Sequence, residues 1–207
     1  MDTRVYQGNC VLLQERPGIE RYDIIVNSQC DNGYGDILLS SNLFLDELSA
    51  SVTHSATVNH EPTGPSRPGT LGGVFHVDRV AALRCHCPSI LQRWTARPRH
   101  WPSQVIVQKV VSLEAYLTPV GFKGSEFKHM EWRICFNTGE AELVNNLYGT
   151  QAQVYVMLKI IIKDVLRPCK KEVTSYVITN IVLWQAECNP QGSFNTRSFF
   201  SAGFMID

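Results

Sequence analysis

The stretch EWRICFNTGE, residues 131–140, sets an acid, an aromatic and a base side by side, then an alternating apolar run, then a second acid. The segment Trp132 to Phe136 reads as a strand. Its continuation, Asn137-Thr138-Gly139-Glu140, has the form of a capping box, with Asn137 as the cap and Glu140 reaching back from the third helical position. A strand that passes straight into a helix divides the chain here. The residues before it mix strands and helices, and those after it are helical.

Downstream, Thr150-Gln151-Ala152-Gln153 repeats the capping device ahead of a helix expected to run to Leu166 and to stop at Pro168. That helix is apolar nearly all round apart from Lys159, Lys163 and Asp164, which predicts a central place in the C-terminal half. The segment TSYVITNIVLWQAEC, residues 174–188, is so rich in β-branched residues that propensity alone favours a strand.

Upstream, residues 10–15 and 22–26 read as short strands joined by a turn at Pro17-Gly18. Asp36 to Leu48 reads as a helix after a Gly-rich turn. Residues 55–73, rich in Pro, Gly, Ser and Thr, read as a long surface loop. Val74 to Leu83 predicts a strand, with Asp78 its only acid. The stretch from Trp101 predicts a helix with Pro102 at its first position, and Ala115 to Val120 a further strand.

The 207 residues hold 19 basic and 19 acidic side chains, so the chain as a whole has no bulk attraction to nucleic acid or to an anionic membrane. The charges are unevenly placed. Residues 1–78 carry ten acids and four bases, whereas residues 79–113 carry six bases and no acid. Seven scattered cysteines and an N-terminus without an apolar leader predict reduced thiols in a cytoplasmic setting. No apolar run reaches membrane-spanning length. Cys85-His86-Cys87 lacks the second ligand pair of a structural zinc site, so no zinc is expected.

EWRICFNTGE, the helix QVYVMLKIIIKDVL and the segment TSYVITNIVLW, taken in that order, resemble the male-abnormal-twenty-one (Mab-twenty-one) family, which includes cyclic GMP-AMP synthase. The Asp78 strand ending in ALRC, Trp94, Trp101-Pro102 and VGFKGS resemble the family as well. The fold this implies is α+β: a partial nucleotidyltransferase mixed sheet followed by a C-terminal helical lobe, with a nucleotide cleft between them. Residues 1–136 would be the remnant of the nucleotidyltransferase α/β core, and 137–207 a truncated helical domain of the Mab-twenty-one type. The resemblance also implies that residues 174–188 are helical, against their propensity. The chain looks N-terminally truncated relative to the family pattern.

By the same resemblance Arg133 and the positions of Cys135 and Asn137 would face a nucleotide base, and Glu140 the other nucleotide. Lys159 and Ser175 would contact phosphate, and Tyr176 would stack on a base. Each has a plainer alternative: Arg133 pairing with Glu131 on the strand surface, Glu140 as a cap, Lys159 snorkelling to solvent, Tyr176 in the core. Cys135 and Asn137 stand where the family has serines, and Thr179 where it has a second lysine.

Members of this family that transfer nucleotides use Mg or Mn ions held by three carboxylates. Asp78 stands at the third of these positions, and the paired acids of the other two are missing from these residues. The site is therefore expected to be incomplete and the chain catalytically inactive as given, although its family is one of enzymes. Two functions are open: a divergent nucleotide-binding protein of innate immune sensing, or a non-enzymatic interaction protein that uses its helical lobe as a partner surface. A nucleoside triphosphate is one expected partner. Double-stranded nucleic acid is another, through Arg84, Arg93, Arg97 and Arg99, unless those arginines pair with the acidic N-terminal region.

Overall fold

A computed structural model describes residues 1–15, 22–51, 57–61, 66–166 and 174–194. The chain divides into two compact units, Met1–Cys85 with Ala115–Phe136, and His86–Glu114 with Asn137–Asp207. Residues 86–114 thus belong with the helical unit rather than with the α/β part, where a division at residue 136 would put them.

The first unit opens with β1 (Asn9–Val11), α1 (Asp23–Asn27), β2 (Gln29–Asp31), β3 (Ile37–Leu39) and α2 (Ser41–Ser51). β4 (Thr57–Asn59), β5 (Ser66–Leu71), β6 (Phe75–Val80) and β7 (Leu83–Cys85) come next. After residues 86–114 the chain returns with β8 (Ala115–Thr118) and β9 (Glu131–Cys135). The main sheet has the order β1-β9-β8-β7, and β2-β3 and β4-β5-β6 form smaller sheets. Every strand pair described is antiparallel, within the α+β class that the sequence implies.

The core of this unit gathers around Trp132, whose ring meets Phe44 edge-on at a centroid distance of 5.2 Å, with Cys10 and Leu117 buried beside it. The indole N–H of Trp132 donates to the Leu39 carbonyl at 2.9 Å, so the buried ring leaves no unsatisfied donor. Strand alternation places Trp132 inward and Arg133 outward.

Three readings change. Residues 23–27 form helix α1, not a strand, because Ile24 and Ile25 pack against the Trp132 core from a helix and burial outweighs β-propensity. Within 36–48 a short strand, β3, precedes α2, and β1 pairs with β9 instead of with residues 22–26. The segment 55–73, read as loop, contributes β4 and β5. Pro68 reads as a strand breaker, yet it sits opposite Asp78 in β5. Gly72 and Gly73, both at positive φ (59° and 74°), make the tight turn that lets β5 fold back on β6.

The second unit contains α3 (Gln92–Thr95), α4 (Gln104–Ser112), α5 (Asn137–Asn145), α6 (Gly149–Ile161) and α7 (Ser175–Cys188). The Trp101-Pro102 bond is cis, and α4 begins at Gln104 with Ser103 in the N-cap position, so Pro102 precedes the helix instead of starting it. Trp101 packs with Ala186 and Phe194, and its indole N–H donates to the Asn146 carbonyl at 2.9 Å. At the start of α6 the Gln151 side-chain oxygen accepts from the Tyr148 N–H at 3.1 Å, the reciprocal half of a capping box. Residues 175–188 are helical, as the family resemblance implies and propensity does not.

α6 continues into a π-helical turn, Ile162–Leu166; Pro168 lies outside the described residues. The helix buries Val154 and Ile162, while Val156, Met157, Ile160 and Ile161 stay between 42% and 54% exposed. The central place predicted for α6 therefore holds for one of its faces alone. Among the described residues no helix is long and apolar enough to cross a membrane.

Candidate functional site

Four residues apart on α6, Tyr155 and Lys159 lie one turn above each other on the same face. The Lys159 ammonium donates to the Tyr155 hydroxyl at 3.0 Å and sits 4.9 Å from the centre of its ring. From α7, the Thr179 hydroxyl lies 3.4 Å from the same oxygen and also donates to the Ser175 carbonyl at 2.9 Å. A cavity of about 450 Å³ opens beside this network, lined by Tyr155, Lys159, Lys163 and Ser175 with the apolar Val156, Ile160 and Ile162.

The electrostatics of the cavity are one-sided. Two ammonium groups and two hydroxyls line it and no carboxylate does, among the described residues. Burial would raise the Tyr155 phenol, but its hydrogen bonds with Lys159 and Thr179 outweigh it and hold the group below its usual value of 10. Glu140 opposes that shift through its charge. Its own carboxyl is raised above the usual value by burial. Ser175 is the first residue of α7, where free backbone N–H groups and the helix dipole favour an anion. Chemically, the arrangement is suited to a phosphate or polyphosphate whose charge the two lysines would neutralise.

The structure brings together Lys159 and Ser175, with Glu140 within electrostatic reach of Tyr155. Tyr176 is 63% exposed and does not line the cavity. Arg133 belongs to the other unit, exposed on β9 between Asn9 and Thr118. Glu131 does not pair with it. Its carboxylate instead accepts from the Phe122 N–H at 2.7 Å and from the Ser125 hydroxyl. Sequence reasoning missed Tyr155 and Lys163, which the four-residue spacing from Lys159 could have marked.

Asp78 is exposed on β6 and accepts from the Ser66 hydroxyl. Among the described residues no three His, Cys, Asp or Glu side chains come close enough together to hold a metal ion. These residues alone do not fit a pair of divalent ions. Cys85, His86 and Cys87 lie where the chain passes from the first unit into the second, and no disulfide joins the six described cysteines.

The basic stretch divides. Arg99, expected either to meet nucleic acid or to pair with the acidic N-terminal region, has a side chain 9% exposed: its guanidinium lies 4.6 Å from the Trp94 ring centre and 3.7 Å from Glu187, near the C-terminus, and it donates to the Trp94 carbonyl. A side chain so engaged from three sides has no face for a phosphate backbone. Lys109 pairs with Glu142 at 2.7 Å. Arg84, Arg93 and Arg97 are exposed.

A family model of the Mab-21 protein nucleotidyltransferase domain matches residues 22–146, from the start of the first unit's α1 through α5. The α6–α7 cavity lies beyond the matched residues. With more than half of its length under that model, its α+β architecture and its strand-to-helix passage at residue 136, the chain belongs to the Mab-21 family, of nucleotidyltransferase fold.

Proposed function

We propose that the chain binds a nucleoside triphosphate through the α6–α7 cavity without transferring it, as a divergent relative of cyclic GMP-AMP synthase in innate immune sensing. The observation that carries this reading is the Lys159–Tyr155–Thr179 network. It holds an ammonium group at the mouth of a cavity that offers a second ammonium, a serine hydroxyl and a helix N-terminus, and no acid among the described residues. Glu140 and Tyr176, which share the cavity's unit, are proposed to add contacts to sugar and base; Arg133 stands in the other unit. Thr179 occupies the place of the family's second lysine, and Lys163 one turn beyond Lys159 is proposed to supply the missing charge.

The absence of transfer rests on the carboxylates, since a single acid cannot hold two magnesium or manganese ions against a triphosphate. A cytoplasmic setting, supported by described cysteines that form no disulfide, belongs to the same proposal. So does contact with double-stranded nucleic acid, carried by the exposed Arg93 and Arg97 of the second unit without Arg99.

The second reading, an interaction protein, is favoured by a specific feature: the apolar side chains that α6 and α7 leave exposed, Met157, Ile160 and Trp184 among them at 51–59%. A thermal-shift titration separates the two readings. Under the first, ATP or GTP raises the melting temperature in a concentration-dependent way that Lys159→Ala abolishes. Under the second, no nucleotide moves it. Incubation with magnesium or manganese and nucleoside triphosphates is expected to yield no dinucleotide above an Asp78→Ala control, and a product above that control would restore the enzyme.

A further inference from the structure

The first unit holds a second cavity with the opposite chemistry. Its volume is about 540 Å³, within the range of ligand pockets, and three aromatic rings line it: Tyr6, Tyr34 and Phe127. Tyr6 is fixed by stacking on Phe122 at a centroid distance of 4.0 Å. Tyr34 is 92% exposed and Phe127 63% exposed. Two acids, Glu126 and Glu131, also line the cavity, and no base does among the described residues.

Glu131 is the unusual member. Its side chain is 1% exposed, and its two oxygens accept only from neutral donors, the Phe122 N–H and the Ser125 hydroxyl. No Lys, Arg or His among the described residues forms an ion pair with it. A buried carboxylate ordinarily has a cationic partner, because hydrogen bonds from neutral groups offset only part of the desolvation cost. The local backbone is built to keep it there. A Cβ on Gly121 would lie 2.0 Å from the Lys128 carbonyl oxygen, so only glycine lets the 121–130 loop close over the carboxylate.

We propose that this cavity receives the guanidinium of an arginine side chain from a partner protein. Rings with negative faces and an uncompensated buried charge behind them attract a cation. Guanidinium fits better than ammonium, since it is planar, stacks on aromatic faces and sheds water more readily on entering a mostly apolar site. The site is separate from the α6–α7 cavity and does not depend on nucleotide binding.

The test uses the full chain and isothermal titration with N-acetyl-arginine methylamide, against the citrulline counterpart as its uncharged isostere. The arginine probe is expected to bind saturably and about tenfold more tightly than the citrulline probe, the ratio that one desolvated cation–π contact supports. Tyr34→Ala and Phe127→Ala alter exposed rings, so the melting temperature should stay unchanged while the arginine affinity falls about fivefold or more. Glu131→Gln should narrow the arginine-to-citrulline ratio. Equal affinity for the two probes, no saturation of the arginine probe up to about 20 mM, or unchanged affinity in the Tyr34→Ala/Phe127→Ala double variant would overturn the proposal.

Discussion

Glu131 in the first unit and Glu187 in the second are both more than nine-tenths buried, and the chain accommodates them in different ways. Glu187 has a cation, Arg99, at 3.7 Å, itself stacked on Trp94 and tied to two backbone carbonyls. Glu131 has a backbone amide and a hydroxyl and, among the described residues, no cation. The contrast separates two uses of a buried acid. Glu187 locks the arginine-rich segment onto α7, as a structural group whose charge is answered inside the chain. Glu131 organises the 121–130 loop and leaves its charge facing a cavity.

The largest effect should come from breaking the answered pair. Arg99→Ala leaves Glu187 buried without a partner and should lower stability by about 3 kcal/mol in chemical denaturation. If the pair is structural only, the Arg99→Met/Glu187→Leu double variant should recover most of that loss, because apolar groups of similar volume remove both desolvation costs. A double variant as unstable as the single one would break the comparison.

Glu131→Ala should come next, at about 2 kcal/mol, since it strands the Phe122 N–H and the Ser125 hydroxyl in a buried corner. Glu131→Gln keeps an acceptor and should cost about 1 kcal/mol. A Gln variant as damaged as the Ala variant would mean that the charge, rather than the acceptor, holds the loop.

Smaller effects sharpen the same contrast through pH. Glu142, paired with Lys109 and hydrogen-bonded by Asn146, has a carboxyl held below its usual 4.5. Its contribution is fully present above pH 4.5 and is lost as acidification passes through the lower folded value. Glu140 has the opposite sign, because burial raises it. Its cost is present above its raised folded value and disappears below 4.5. Urea midpoints of Glu142→Gln and Glu140→Gln across pH 3–7 should therefore diverge from the wild type in opposite directions. The smallest change is spectroscopic: in Lys159→Ala the absorbance titration of Tyr155 should move to higher pH, as the ammonium that stabilises its phenolate is removed.

Much of the architecture was legible because it is written in short-range patterns. The Asp78 strand, β8 and β9 announce themselves by alternation; α5 and α6 form where helices are expected, but Asn137 is already helical and α6 is capped at Tyr148 with Gln151 instead of at Thr150 with Gln153. The helix at 175–188 was not legible from propensity, since its run of Val, Ile and Thr favours strand; only its likeness to a family pattern marked it. Helix α1 was misread for the converse reason, with burial of Ile24 and Ile25 deciding what β-branching alone could not. The β4-β5-β6 sheet was hidden by Pro68 and the surrounding glycines, whose turn at Gly72-Gly73 becomes visible only once the strands are paired.

The candidate sites were less legible still. Lys159 and Ser175 came from a motif, but Tyr155 and Lys163 acquire meaning from a cavity that two helices form together. Arg99 read either as a nucleic-acid contact or as a partner of the acidic N-terminal region, and only the fold reveals Glu187 and Trp94 against it. Glu131 looked like a surface partner of Arg133, whereas the loop between β8 and β9 buries it.

The central claim is that the α6–α7 cavity binds a polyphosphate through its two lysines. Its most direct test is isothermal titration of a nucleoside triphosphate, without divalent metal, into the wild-type chain and into Lys159→Ala/Lys163→Ala. Saturable binding by the wild type that weakens by at least about tenfold in the double variant, with an unchanged melting temperature, is the predicted result. Equal affinities in the two proteins, or no binding by either, would contradict it.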